Sequence, residues 1–323
     1  MRRYLFIISF VIPAGLIFCA CNQGKRGSGD GTFTIATLRG PSSMGMIKLI
    51  DSLGSSKNHS VKMEILDEPL IVRKMMIDGS ADFAILPTTM AAITYNKGFD
   101  YRLVAVPVWG TLYLMGSDTT ISEWKNLRGK RVHVMARGMT PDELFRYLLV
   151  RNGIDPGKDI SLDYSFPTHI DLANAAGAGR AALAVLSEPM ASIVMKNNRA
   201  VRRIFSLNEE WAKFEGMPLA ETAFMAKRSV LENNRDLAEK IIASYKSSTI
   251  WVNKYPDSAA ALIVRYNILP DFEAALNAIP LSNLKFERAF DVMDEVKEYL
   301  GVFYRMNPEI TGGKIPDEGF FFK

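Results

Sequence analysis

Residues 75–92 read MMIDGSADFAILPTTMAA. An apolar helical run closes at Asp78, Gly79 supplies the stop, and Phe83 to Leu86 is a bounded apolar run of strand length. The strand ends on Pro87, and Thr88, Thr89, Met90 and Ala91 form a strand-to-helix turn. Hydroxyls and N–H groups in such a turn sit at the carboxyl edge of a sheet, where open α/β sheets hold ligands. The stretch also recurs. Gly179, Ala181, Ala184, Leu186, Met190 and Ala191 repeat Gly79, Ala81, Ala84, Leu86, Met90 and Ala91 at an offset of one hundred. Internal similarity of this kind predicts two related lobes.

Working outward in the first lobe, Thr32 to Thr37 alternates like a strand and runs into Leu38-Arg39-Gly40-Pro41-Ser42-Ser43. A helix follows with apolar Met46, Leu49, Ile50 and Leu53. Gly40 lets a backbone approach a ligand, and Ser42 or Ser43 caps the helix, whether or not either also touches a ligand. Val61 to Leu66 predicts a strand, Pro69 to Ile77 a helix, and Arg102 to Pro107 a strand leading to Val108-Trp109-Gly110-Thr111 and an apolar run to Met115. That run is the expected crossing into the second lobe.

The second lobe restates the first. Arg131 to Ala136 predicts a strand, and Arg137-Gly138 echoes Arg39-Gly40. Thr140, Pro141 and Glu143 predict a capped helix start, with Thr140 as the cap. Leu162 to Phe166 predicts a strand, Thr168-His169-Ile170-Asp171 a helix start, and Ser187-Glu188-Pro189 closes the repeated strand where the first copy has Pro87-Thr88-Thr89. An apolar run from Leu219 to Ala226, bracketed by Glu221 and Lys227, carries the chain back. Beyond Arg228 the pattern predicts helices over Asn234 to Lys254, Pro256 to Tyr266 and Lys285 to Tyr304. The expected organisation is lobe 1 from 32–110 with 220–323, and lobe 2 from 111–219.

The N-terminus predicts a targeting segment over 1–21. Arg2 and Arg3 precede an apolar core, Tyr4 to Phe18, too short to span a bilayer stably. Phe18-Cys19-Ala20-Cys21 resembles a bacterial lipobox, with small Ala20 before a lipid-bearing Cys21, although an aliphatic residue is usual where Phe18 stands. Residues 22–31 hold Gly, Ser, Lys and Arg with no apolar side chain, the composition of a flexible tether. The predicted location is a bacterial membrane surface, lipid-anchored, with an extracytoplasmic domain. The formal charge is +4, or +2 without Arg2 and Arg3, and no basic run is interleaved with aromatics, so nucleic-acid binding is unsupported. No cysteine follows Cys21, which excludes disulfides, thiolate metal sites and a cysteine nucleophile beyond it.

Leu38-Arg39-Gly40-Pro41 with Met44-Gly45-Met46, Asp78-Gly79 to Pro87, Tyr95-Asn96-Lys97, Thr140-Pro141, Glu188-Pro189 and Gly312-Gly313-Lys314-Ile315-Pro316 occur in an order that resembles the solute-binding lipoproteins of nitrate/sulfonate/taurine-type ABC importers. The resemblance covers nearly the whole mature chain. It implies the type II periplasmic-binding fold: α/β, two lobes each with a mixed sheet flanked by helices, two crossing strands, and C-terminal helices. It also implies a small-molecule solute and partnership with a membrane permease and ATPase.

Two other readings stand beside it. The same fold resembles that of pyrimidine-precursor synthases of thiamine biosynthesis, where the resemblance implies an active-site histidine and a cysteine-rich motif. This chain has three histidines and no such motif. His59 lies in a polar stretch, His133 alternates with Val132 and Val134, and His169 opens a helix; structural roles account for all three. A tethered ligand-sensing domain is the third reading. Neither a nucleophile with its base nor a metal cluster can be assembled from spacing, so no catalytic residue, metal or cofactor is expected.

The expected ligand-binding residues are Arg39, Gly40, Ser42, Ser43, Thr88, Thr89, Trp109, Gly110, Arg137, Gly138, Thr140 and Glu188, with Arg137 and Glu188 the cation and acid nearest the cleft. Helix N-termini and two Arg-Gly turns favour an oxyanion, while Trp109, Met44 and Met139 favour a flat heterocycle. For the anchor, Cys21→Ser is expected to leave the membrane fraction when peripheral proteins are extracted, because two or three acyl chains hold a protein stably where one would not. Retention of the variant would contradict lipidation at Cys21.

Overall fold

The computed structural model describes residues 32–55 and 60–323. The expected leader, Cys21, the tether and His59 lie outside the described residues. The first segment runs β1 (Phe33–Leu38), α1 (Pro41–Gly45), α2 (Ile47–Ser55), β2 (Val61–Leu66), α3 (Pro69–Ile77), β3 (Phe83–Pro87), α4 (Thr88–Asn96) and β4 (Tyr101–Val108). The middle segment runs β5 (Leu112–Gly116), β6 (Arg131–His133), α5 (Thr140–Arg151), β7 (Ser161–Asp163), α6 (His169–Gly177), β8 (Leu183–Ser187), α7 (Met190–Asn197), β9 (Arg202–Ser206) and α8 (Leu207–Glu215). The last segment runs β10 (Thr222–Lys227), α9 (Arg228–Asn233), α10 (Arg235–Lys254), α11 (Pro256–Arg265), α12 (Phe272–Ala278), β11 (Leu284–Arg288) and α13 (Met293–Met306).

Two mixed sheets result, with strand orders β11-β4-β10-β3-β1-β2 and β7-β6-β8-β5-β9. Their pairing is the same. In the first, β1 lies parallel to β2 and β3, and β10 enters antiparallel between β3 and β4. In the second, β6 lies parallel to β7 and β8, and β5 enters antiparallel between β8 and β9. The repeated stretches therefore occupy equivalent places as β3 and β8. Each sheet also takes in one strand that begins where the chain has just crossed from the other. Phe83, Ala84, Ile85 and Leu86 are all buried, as are Leu183 to Leu186, because helices cover both faces of each sheet.

Three expectations need correction. The helix predicted through Met46 is broken there into α1 and α2. The strand predicted over Arg131 to Ala136 stops at His133, and Ala136 turns the chain at φ 53°. The helix predicted from Lys285 begins only at Met293: Leu284 and Phe286 alternate inward with exposed Lys285, a period of two, and β11 pairs antiparallel with β4 at the sheet edge.

The C-terminal helix α13 touches both halves. It packs against α4 and α5. Trp211, on α8, lies with its ring 5.8 Å from both Tyr299 and Phe303 of α13. All three rings are fully buried.

Candidate functional site

A chamber of about 220 Å³ opens between the two sheets. Its walls are residues at or past the carboxyl ends of the parallel strands: Leu38 and Arg39 at β1, Asp67 and Glu68 after β2, Thr89 after β3, Met135, Ala136, Met139 and Thr140 after β6, Pro167 to His169 after β7, and Glu188 to Met190 after β8. Its floor is made by the two crossings, Thr111-Leu112 and Glu221-Thr222. Parallel strands bring their carboxyl ends to one edge, so turns distant in sequence converge there.

The floor is locked by one carboxylate. Glu221 accepts hydrogen bonds from the Thr111 backbone N–H at 2.6 Å and from its hydroxyl at 2.8 Å. The neighbouring carbonyls complete the lock: Thr88 N–H donates to Glu221 O at 3.0 Å, and Glu188 N–H to Thr111 O at 3.0 Å. Burial pushes the Glu221 carboxyl above the usual range, and the two Thr111 bonds only partly oppose this.

Glu188 is 1% exposed. It accepts from Arg203 Nη2 at 2.6 Å and from Ser192 N–H at 3.3 Å. Burial raises its carboxyl, with Arg203 pulling the other way. The expected partnership of Glu188 with Arg137 is therefore replaced: Arg137 is exposed and its guanidinium lies 5.1 Å from the centre of the Tyr164 ring. His169 Nε2 accepts from the Ser187 N–H at 3.2 Å and lies 3.0 Å from the Ser187 hydroxyl. Burial holds this imidazole down to about 4, so it is neutral at physiological pH.

Across the chamber, the hydroxyls of Thr89 and Thr140 bond at 2.8 Å, and both side chains are buried. Thr140 was expected to cap α5. Met139 is the cap residue instead, without a side-chain cap bond, and the hydroxyl of Thr140 is directed to the other sheet. Gly40 also meets the opposite half: a Cβ placed on it would lie 3.5 Å from Pro189 Cδ, and its φ of 137° is one that residues with side chains rarely adopt.

Of the expected residues, Arg39, Ser42, Thr89, Thr140 and Glu188 line the chamber. The others do not. Ser43 bonds Gly40 N–H at 3.1 Å and is buried, and Thr88 is buried beside the floor. Trp109 donates from Nε1 to Lys285 O at 2.8 Å, outside the chamber, and Gly138 N–H donates to Asp142. Met44 is buried in the core, whereas Met139 lines the chamber. Gly110 serves the crossing, not the walls. Its φ is 80°, and a Cβ there would fall 2.4 Å from Asn208 Oδ1.

Thr111, His169, Ser187 and Glu221 were not among the expected site residues. A signal existed for Glu221, the single ionised side chain in the run Met217 to Ala226. Thr111 carried none, being one hydroxyl at the head of an apolar strand.

The profile of the family described as NMT1/THI5 like matches residues 57–259, most of the chain. The chain belongs to the NMT1/THI5-like family. Within the wider set of similar folds, this NMT1/THI5-like chain is 27% identical to an ABC transporter structure from Parabacteroides distasonis, over 91% of this chain and 99% of that one, with a TM-score of 0.79. It shares the fold of the periplasmic aliphatic sulphonate binding protein SsuA from Escherichia coli at 16% identity, over 91% and 93% of the two chains, with a TM-score of 0.70. YtlA of Bacillus subtilis (strain 168) is 30% identical over 146 residues. That match spans less than half of either protein, 45% of this chain and 42% of YtlA. The fold expected from the sequence, two α/β lobes of the type II periplasmic-binding kind, is the fold of these neighbours.

The crossing generates a prediction. Gly110→Ala is expected to lose more than about 1 kcal/mol of stability, since it adds both an unfavourable φ and a clash with Asn208. Urea denaturation measures this, and a variant as stable as the parent would contradict the geometry.

Proposed function

We propose that this chain is the extracytoplasmic solute-binding component of an ABC importer. It captures a small solute between two lobes, 32–110 with 220–323 and 111–219, and presents it to a membrane permease whose work is driven by an ATPase. A lipid on Cys21 and the tether after it keep the domain at the membrane surface. Family membership supports this reading, as does the end-to-end likeness to the Parabacteroides distasonis ABC transporter structure.

The observation that carries it is the chamber itself. Its walls come from both sheets in nearly equal measure, and a bond between Thr89 and Thr140 spans them. A solute filling such a space contacts both lobes only when they are together, so its binding free energy favours the closed arrangement. The opposing contacts are specific. A single neutral hydrogen bond such as Thr89 to Thr140 contributes about 1 kcal/mol, whereas α13 packs three buried aromatic rings across the halves and so constrains the path of opening.

The alternative of catalysis finds less support in the site. His169 and Ser187 form a hydroxyl–imidazole contact, but Nε2 already accepts the Ser187 N–H, and an imidazole held down to about 4 is a weak base. A sensing domain would use the same capture step without a permease.

Small-angle scattering on protein stripped of bound solute, then re-supplied with the molecule that mass spectrometry identifies in the stripped fraction, tests the carrier mechanism. The radius of gyration is expected to fall on binding, with the solute recovered unchanged. An unchanged radius at saturation, or steady consumption of the solute, would overturn it.

A further inference from the structure

The NMT1/THI5-like fold leaves the charge of the solute open, and the chamber does not resemble an oxyanion site. An oxyanion needs donors, and several of the backbone donors at this edge are already used. Gly40 N–H goes to Ser43, Thr88 N–H to Glu221 O, Gly138 N–H to Asp142, Ser187 N–H to His169, and Glu188 N–H to Thr111 O. Among the described residues the one cation in the wall, Arg39, donates to Asp67 at 2.6 Å and to the Asn267 carbonyl. Nη2 of Arg203 is directed behind the wall to Glu188 and Ser192. The helix α1 that follows Gly40 has only five residues.

Acceptors remain. Glu221 is the carboxylate of the floor, partly exposed into the chamber, and its hydrogen bonds come only from Thr111, a neutral residue. Among the described residues no lysine or arginine forms an ion pair with it. A buried carboxylate without a counter-charge is costly, and proteins normally pair it. The neutral, half-buried imidazole of His169 adds no positive charge. Around these groups the walls are apolar: Leu38, Leu112, Met135, Met139 and Met190 face the space.

We infer that the captured solute is a small organic cation, a protonated amine, amidine or amino-heterocycle, whose N–H donors meet Glu221 while its apolar body lies against the methionines. The inference rests on the carrier reading above and specifies its cargo. The missing counter-ion of the floor is then the solute itself. Charge-assisted hydrogen bonds in a space closed from water are the strong ones, and an anion placed in the same space meets an unpaired like charge. Specificity follows from that repulsion as much as from the attraction.

The test uses the whole chain, stripped of bound solute, and isothermal titration with two probe sets at equal concentration. One set is n-butylamine, benzamidine and 4-aminopyridine; the other is butane-1-sulfonate, benzoate and nitrate. At least one cationic probe is expected to bind about tenfold or more tightly than any anion. Glu221→Gln keeps the shape and removes the charge, and is expected to erase that preference, with a lower solute-free melting temperature because the Thr111 bonds lose their charged acceptor. A residue that only braced the crossings would leave the preference intact in the folded variant, which would overturn the assignment to Glu221. The wild-type comparison decides the class without any variant. Tighter binding of an anion, equal binding of both sets, or binding of neither would overturn the cationic class. Lobe closure around an anion would do so while leaving the carrier reading standing, whereas consumption of any probe would count against the carrier reading itself.

Discussion

The hydrogen bonds from Thr111 to Glu221 are the constraint on which the rest of this molecule depends. They join the two points where the chain passes between its sheets, with the backbone N–H and the hydroxyl of one crossing both held by a carboxylate of the other. Each crossing also bonds the end of a repeated strand: Glu221 O takes the N–H of Thr88 after β3, and Thr111 O takes the N–H of Glu188 after β8. Hydrogen bonds to a charged group contribute about 1.5–3 kcal/mol, which places these beside the Arg203–Glu188 pair among the strong contacts at this edge. The arrangement fixes where the strand ends lie relative to each other, and so fixes the chamber.

The same constraint carries a penalty. Burial raises the Glu221 carboxyl, and its bonds to a neutral threonine recover only part of the lost hydration. Glu188, the other buried acid of the site, has Arg203 against it. A fold that tolerates one unpaired carboxylate beside a paired one stores a preference for positive charge at the unpaired position. Functional sites commonly hold such groups because the partner arrives with the ligand.

Much of this was legible in the sequence because periodicity and repetition report directly on sheets. The offset of one hundred between Gly79–Ala91 and Gly179–Ala191 identified β3 and β8, the two strands that occupy matching places in the two sheets. Of the twelve residues expected from the same logic, Arg39, Ser42, Thr89, Thr140 and Glu188 line the chamber. What failed is what depends on side-chain direction. Thr140 and Glu143 satisfy a capping pattern, yet Thr140 is the first helical residue, one past the cap, and its hydroxyl bonds Thr89 across the chamber. Arg137 and Glu188 are both past strand ends, but Arg203 from β9 lies behind Glu188 and takes its oxygen. Trp109 looked like a stacking platform; its indole N–H instead finds a carbonyl at Lys285, on a strand that the sequence pattern presented as helix. Glu221 stood out only as the acid bracketing an apolar run, and one acid in such a run carries no period that would place it at the chamber.

The central claim is that the space between the two crossings is where the solute is held, with Glu221 as its polar anchor. A crystal structure of the protein with its co-purifying solute tests this most directly. The account predicts density inside the chamber, touching wall residues of both sheets and placing a nitrogen of the solute within hydrogen-bond distance of a Glu221 oxygen. Density on one lobe alone, or an oxyanion seated in the chamber with Glu221 turned away from it, would contradict the account.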